Sequence, residues 1–174
     1  MMQMLVGGGM TALADGERKA DDDNPRGYLE WERIKTLPND PGCIAQAEEK
    51  VVKVISRLLL SLPSNHEYRV IFMQRPLPEV LASQDQMLRR RGTYKDGVNP
   101  AIMSAAFEKH LREVYAWMDG KGYVKALRVP YHEVLSGPKD IGGRLAEFLG
   151  LELDVDAMAQ QVDASLYRNR GEVA

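Results

Sequence analysis

Tyr68-Arg69-Val70-Ile71-Phe72-Met73-Gln74-Arg75-Pro76-Leu77-Pro78-Glu79-Val80-Leu81-Ala82-Ser83 is the stretch on which the fold turns. Val70 to Met73 is a short apolar run of β-branched and aromatic residues. Such a run reads as a strand buried on both faces, the kind found in parallel sheets. Pro76 and Pro78 stop a hydrogen-bonded ladder, and Pro78 suits the first turn of a helix, where its missing N–H would have no partner anyway. Glu79 is placed against the positive end of the helix dipole. Leu77, Val80, Leu81, Met87 and Leu88 then recur at helical spacing. The stretch therefore predicts strand, tight turn, helix. Arg75 stands at the strand's carboxyl end and Ser83 lies one to two turns into the helix. Open α/β sheets bind ligands beyond the carboxyl ends of their strands, and an Arg fork with a Ser hydroxyl is suited to a phosphate.

Working outward, Val51 to Ile55 reads as another buried strand and Val124 to Val129 as a third, giving strands near 51–55, 69–74 and 123–129. Helices are expected near 1–6, 77–91, 100–118 and 138–149, with a helical stretch at 44–50 and a short one at 154–162. Within 100–118, Ile102, Met103, Ala106, Phe107, Leu111, Val114, Tyr115 and Met118 mark the face expected to be buried. His110 falls on that face and reads as a satisfied core residue. Gly92 and Gly150 stand where helices end. Strands alternating with helices predict an α/β domain over residues 1–174, a three-layer parallel sheet flanked by helices.

Several residues and their order resemble the sulfotransferases that use 3′-phosphoadenylyl sulfate. Arg75 followed eight positions later by Ser83 is similar to their 3′-phosphate-binding segment. Asn24-Pro25-Arg26-Gly27-Tyr28-Leu29-Glu30 resembles a segment on the acceptor side of the cleft in bacterial members. Phe148-Leu149-Gly150 matches a late structural motif, and Tyr131-His132-Glu133 matches the one before it more loosely. The resemblance implies a P-loop-type fold and transfer of a sulfuryl group from 3′-phosphoadenylyl sulfate, as co-substrate, to a hydroxyl or amine of a small molecule or side chain. It implies that Arg75 and Ser83 bind the 3′-phosphate, with Arg168 and Arg170 closing over it from the late basic segment. Glu17 is the nearest match to the general base of members similar to tyrosylprotein sulfotransferase. Lys53 matches the lysine of the K-T-H strand of the cytosolic members, whereas Ile55 stands where their catalytic histidine would be, so this chain departs from that subfamily's base.

The family's first strand and its phosphosulfate loop, broadly P-R-S-G-T-[ST], are not in this sequence; Met1 to Leu5 resemble the helix that follows them. That strand is usually interior to the sheet, so without it the sheet has a gap or closes up. The expectation is a chain begun at an internal methionine, with catalysis weak or absent and an exposed sheet edge through which an oligomer can form. The alternative is a non-catalytic binding protein that keeps the fold. A nucleotide kinase would need G-x-x-x-x-G-K-[ST], which does not occur. Each candidate also has an ordinary structural reading: Arg75 as a strand-end cation in solvent, Glu17 as a surface carboxylate beside Arg18, Lys53 as a strand-end lysine reaching water, and Arg168 and Arg170 as a solvated tail.

Bulk properties agree with one globular domain. At 174 residues the chain is long enough to bury roughly 70% of its unfolded surface. A net charge of −2 argues against a general nucleic-acid binder. No apolar run approaches the roughly 18 residues of a membrane span. The single cysteine, Cys43, excludes an internal disulfide and fits a reducing, cytoplasmic setting. The three histidines show no metal-ligand spacing, and no metal is expected.

Overall fold

The computed structural model describes residues 1–17, 20, 27–90, 92 and 99–163. Two strands form its sheet, β1 (Tyr68–Gln74) and β2 (Val124–Pro130). They run parallel in register from Tyr68 opposite Val124 to Gln74 opposite Pro130. The ladder ends there because Pro130 has no N–H to donate. Among the described residues seven helices surround it: α1 (Met2–Gly7), α2 (Ser56–Leu59), α3 (Leu77–Arg90), α4 (Pro100–Gly120), α5 (Tyr131–Ser136), α6 (Pro138–Leu149) and α7 (Val155–Gln160). Two 3₁₀ turns, Glu32–Thr36 and Pro41–Ala47, precede α2.

Side chains alternate across a strand, and β1 and β2 use that alternation to serve two cores. Tyr68, Val70, Phe72, Val124 and Ala126 join a cluster with Val114 and Met118 of α4, Leu59 of α2, and Trp31, Ile34, Leu37, Cys43 and Ile44 of the 3₁₀ region. Ile71, Met73, Leu127 and Val129 join a second cluster with Met4 and Leu5 of α1, Val134 of α5, Ile141 and Leu145 of α6 and Met158 of α7. Helices thus cover both faces of a parallel sheet, as the alternating pattern predicted.

Local chemistry sets the helix ends. Asn99 caps α4, its side chain accepting from the Ala101 amide at 2.9 Å, with Pro100 in the first turn. Gly150 ends α6 at φ 66°, donating to Glu147 while Leu151 donates back to Ala146. This is the paired closure that a left-handed residue permits. Asp154 caps α7 through the Ala157 amide at 2.9 Å, and its own amide donates to Gly8 at the end of α1.

Three expectations need correction. Residues 51–55 form no strand of the sheet: Val51 alone makes an isolated parallel bridge, with Ala12. A β-branched run supplies propensity, yet a strand also needs a neighbour to bond, and this one has a partner at a single residue. Residues 44–50 are not an α-helix; a 3₁₀ turn covers 41–47. The amino-terminal half of α4 is not core, for Ile102 is 68% exposed and Ala106 is exposed. Its inward residues are Val114, Tyr115, Trp117 and Met118, where the helix meets β1 and β2.

Adjacent glycines of α6 make a test of this packing. A Cβ on Gly142 would lie 2.9 Å from Val155 Cγ1 of α7, whereas one on Gly143 meets nothing within 4 Å. Val155 is β-branched and stiff in a helix, so it has little room to yield. Overpacking of this kind costs about 1–3 kcal/mol, set against a helix-propensity gain of about 1 kcal/mol. Gly142→Ala is expected to lower the urea midpoint, while Gly143→Ala raises stability by about 0.5–1 kcal/mol.

Candidate functional site

The register of the sheet builds one corner of the candidate site. Because Gln74 lies opposite Pro130, the residues that follow the two strands, Arg75 and Tyr131, emerge side by side. The Arg75 guanidinium sits over the Tyr131 ring, 5.5 Å from its centroid, a favourable cation–π arrangement. Pro76 then starts the turn into α3, its carbonyl accepting from the Glu79 and Val80 amides. One turn in, Glu79 is 6% exposed and its Oε2 accepts from Arg75 Nε at 2.8 Å. Glu79, expected as a helix-dipole partner, is thus also the buried counter-ion of Arg75.

Arg75 opens onto a cleft of about 1450 Å³ that runs along β1. Its walls are Tyr68 to Arg75 on one side and Glu48 to Val54 on the other, with α1 and Tyr28 beside them. Lys53 lies on the far wall. Its Nζ donates to Glu30 Oε1 at 2.7 Å and stands 5.5 Å from the centroid of the Tyr28 ring. Between those two partners Leu29 holds φ 45°, and Glu49, also in the lining, holds φ 57°. Left-handed backbone costs a side-chain-bearing residue roughly 1–2 kcal/mol. Burial, and then the charge of Lys53, lowers the pKa of the Met1 ammonium, which also lines the cleft. Burial and the neighbouring Tyr123 push the Tyr68 phenol up to about 12, and its hydroxyl donates to the Pro63 carbonyl.

The structure distributes the sequence-predicted residues unevenly. Arg75 and Lys53 both line the cleft. Ser83 is half-buried on α3 and is not among the lining residues. Glu17 is exposed in the loop before residue 18, also away from the lining; the carboxylate that reaches Lys53 is Glu30. Arg168 and Arg170 lie outside the described residues, as does the Asn24-Pro25-Arg26 part of the acceptor-side segment. Among the described residues, no group of three His, Cys, Asp or Glu side chains converges as metal ligands would. No helix among them is long and apolar enough to cross a membrane.

Sequence reasoning missed Glu30, Tyr131 and Ser56 as site residues. Glu30 had a signal, since it closes the segment that drew attention at Gly27-Tyr28-Leu29. Tyr131 depends on strand register, which one sequence does not display. Ser56 lines the cleft and hydrogen-bonds His110 Nε2 at 2.9 Å. His110 is therefore satisfied, as read, but by a partner 54 residues away.

Asp15 holds the Glu30 segment in place. Its carboxylate accepts from the Glu32 and Glu17 amides, and its own amide donates to the Glu30 carbonyl at 3.1 Å. The bonds from Glu32 and then Glu17 lower its pKa, since they favour the charged form. A depressed folded-state pKa contributes stability above the unfolded value, about 3.9, and loses it as pH falls through the folded one. The Asp15 carboxyl should titrate by NMR below about 3.9. The stability difference between wild type and Asp15→Ala should close as the solution is acidified through that range. Comparison with family models, with curated proteins and with solved structures found no match for this chain.

Proposed function

We propose that this chain is a sulfotransferase-type domain whose cleft binds the adenosine 3′,5′-bisphosphate part of a sulfuryl donor. The observation that carries the reading is Arg75: a guanidinium at the carboxyl end of a parallel strand, opening on the cleft, fixed by buried Glu79 and by the Tyr131 ring. A guanidinium is a planar fork of N–H donors, which matches phosphate geometry. Arg75, just past the carboxyl end of β1, stands where α/β sheets take their ligands. In the reaction, an acceptor oxygen or nitrogen attacks sulfur. The bond from sulfur to the bridging phosphate oxygen breaks, and adenosine 3′,5′-bisphosphate leaves with the electron pair. The acceptor's proton passes to a base. Lys53 lines the same cleft and supplies positive charge for the transferring group. The glycine loop that holds the phosphosulfate in the family is not in the sequence, so turnover by these 174 residues is expected to be weak or absent while nucleotide affinity remains.

Calorimetry with adenosine 3′,5′-bisphosphate and with AMP tests the assignment. Charge-assisted hydrogen bonds contribute about 1.5–3 kcal/mol each, so the bisphosphate should bind roughly 10–100-fold more tightly than AMP. Arg75→Lys keeps a cation beside Glu79 but loses the fork. That substitution should erode the preference, while Arg128→Ala, outside the cleft lining, should leave it intact. An unchanged preference in Arg75→Lys would overturn the 3′-phosphate site.

The second reading, a non-catalytic binding protein, is favoured by a different observation: β1 pairs along one edge only among the described residues.

A further inference from the structure

Ser56 is the first residue of α2 and follows extended chain, for Ile55 before it holds φ −72° and ψ 144°. Its hydroxyl is spent on neither of the uses that a serine in a helix commonly finds. The amino terminus of α2 carries no side-chain cap. A helical serine can also bond the carbonyl four residues back, and Ser56 makes no such bond. Its partner is instead His110 Nε2 on α4, at 2.9 Å and 54 residues away in the chain. Among the described residues neither side chain makes another hydrogen bond.

The two nitrogens of that imidazole face different surroundings. Every buried side-chain nitrogen and oxygen among the described residues has a partner. His110 Nδ1 has none in the protein, so it stands in water. With its proton on Nδ1, the ring leaves Nε2 as the acceptor for the Ser56 hydroxyl. A serine hydroxyl is a weak nucleophile by itself and is activated by a base within about 2.6–3.2 Å. The pair meets that distance. Ser56 lines the cleft and His110 does not, so the hydroxyl faces a ligand and the ring lies behind it.

We propose that Ser56 and His110 form a nucleophile–base dyad that takes the acyl group of esters of apolar acids. Phe107 and Leu111, neighbours of His110 on α4, line the cleft, as do Val54 and Leu59 on either side of Ser56 in the chain. That apolar wall suits the hydrocarbon part of such an acid. In the first step Ser56 Oγ attacks the ester's carbonyl carbon while its proton passes to His110 Nε2. The bond from that carbon to the alcohol oxygen breaks, and the alcohol leaves with the proton from Nε2. Water then attacks the acyl carbon and gives a proton to Nε2. Ser56 Oγ departs as the acid forms and takes that proton back. The reacting atom is carbon rather than sulfur, and neither Arg75 nor Lys53 takes part, so the dyad stands apart from the nucleotide reading.

Mass spectrometry of the full chain treated with an alkyl fluorophosphonate tests the dyad. Attack by Ser56 expels fluoride and leaves a permanent phosphonyl ester on Oγ. One adduct per chain is expected, on Ser56. Ser136, whose hydroxyl donates to the Glu133 carbonyl at 3.5 Å, is the internal reference. Ser56 should react at least on the order of 100-fold faster than Ser136, the scale of general-base catalysis. His110→Gln keeps an acceptor for the hydroxyl but cannot take its proton, and should bring Ser56 down to the rate of Ser136. p-Nitrophenyl butyrate should be hydrolysed by the wild-type chain and not by Ser56→Ala. A wild-type Ser56 that reacts no faster than Ser136 would overturn the proposal, and that comparison needs no variant to fold. Labelling that His110→Gln leaves unchanged would remove His110 as the base, and ester hydrolysis that persists in Ser56→Ala would remove Ser56 as the nucleophile; either result overturns the dyad.

Discussion

The parallel ladder between β1 and β2 is the constraint on which the rest of this structure depends. It fixes a plane through the molecule, and the pleat of each strand then sends alternate side chains to opposite sides. Val70 and Phe72 anchor the layer of α2, α4 and the 3₁₀ turns; Ile71 and Met73 anchor the layer of α1, α5, α6 and α7. A shift of one residue in register would exchange the two sets. It would also separate Arg75 from Tyr131, because the site corner exists only while Gln74 and Pro130 end the ladder together.

Electrostatics at that corner follow from burial. A carboxylate as enclosed as Glu79 is costly unless it is paired, and removing the partner of a buried pair costs about 3–5 kcal/mol. Arg75 thus has a structural duty alongside any ligand it binds. The bond to Glu79 is made through Nε. Lys53 is held more loosely. Its side chain is 41% exposed and its partner Glu30 19%, so the pair is partly screened and contributes less.

Open backbone edges are a second theme. A strand edge with free N–H and C=O groups invites pairing, and β1 presents one toward a cleft with apolar layers on either side.

The chain's local structure was largely legible in its sequence. The runs at 68–74 and 124–130, the proline-started helices at 100 and 138 and the glycine stop at 150 are signalled by residue type and spacing, since β-branching, a missing N–H and a left-handed φ are properties of single residues. Arg75 was legible for the same reason, as the charged residue directly after an apolar run. What escaped were matters of partnership. Val51 to Ile55 has the composition of a strand, but whether it joins a sheet depends on what lies beside it. Ile102 has helical spacing, but α4 outruns the surface it packs on. Glu30 and Tyr131 become site residues only because the fold carries them to Lys53 and Arg75. The sequence by itself determined the two paired strands, the longer helices and that the sheet is parallel; only the tertiary structure decided that 51–55 stays out of the sheet, which edges are paired, which charges meet and where the cleft lies, because hydrogen bonds between strands and ion pairs between elements join residues that are distant along the chain.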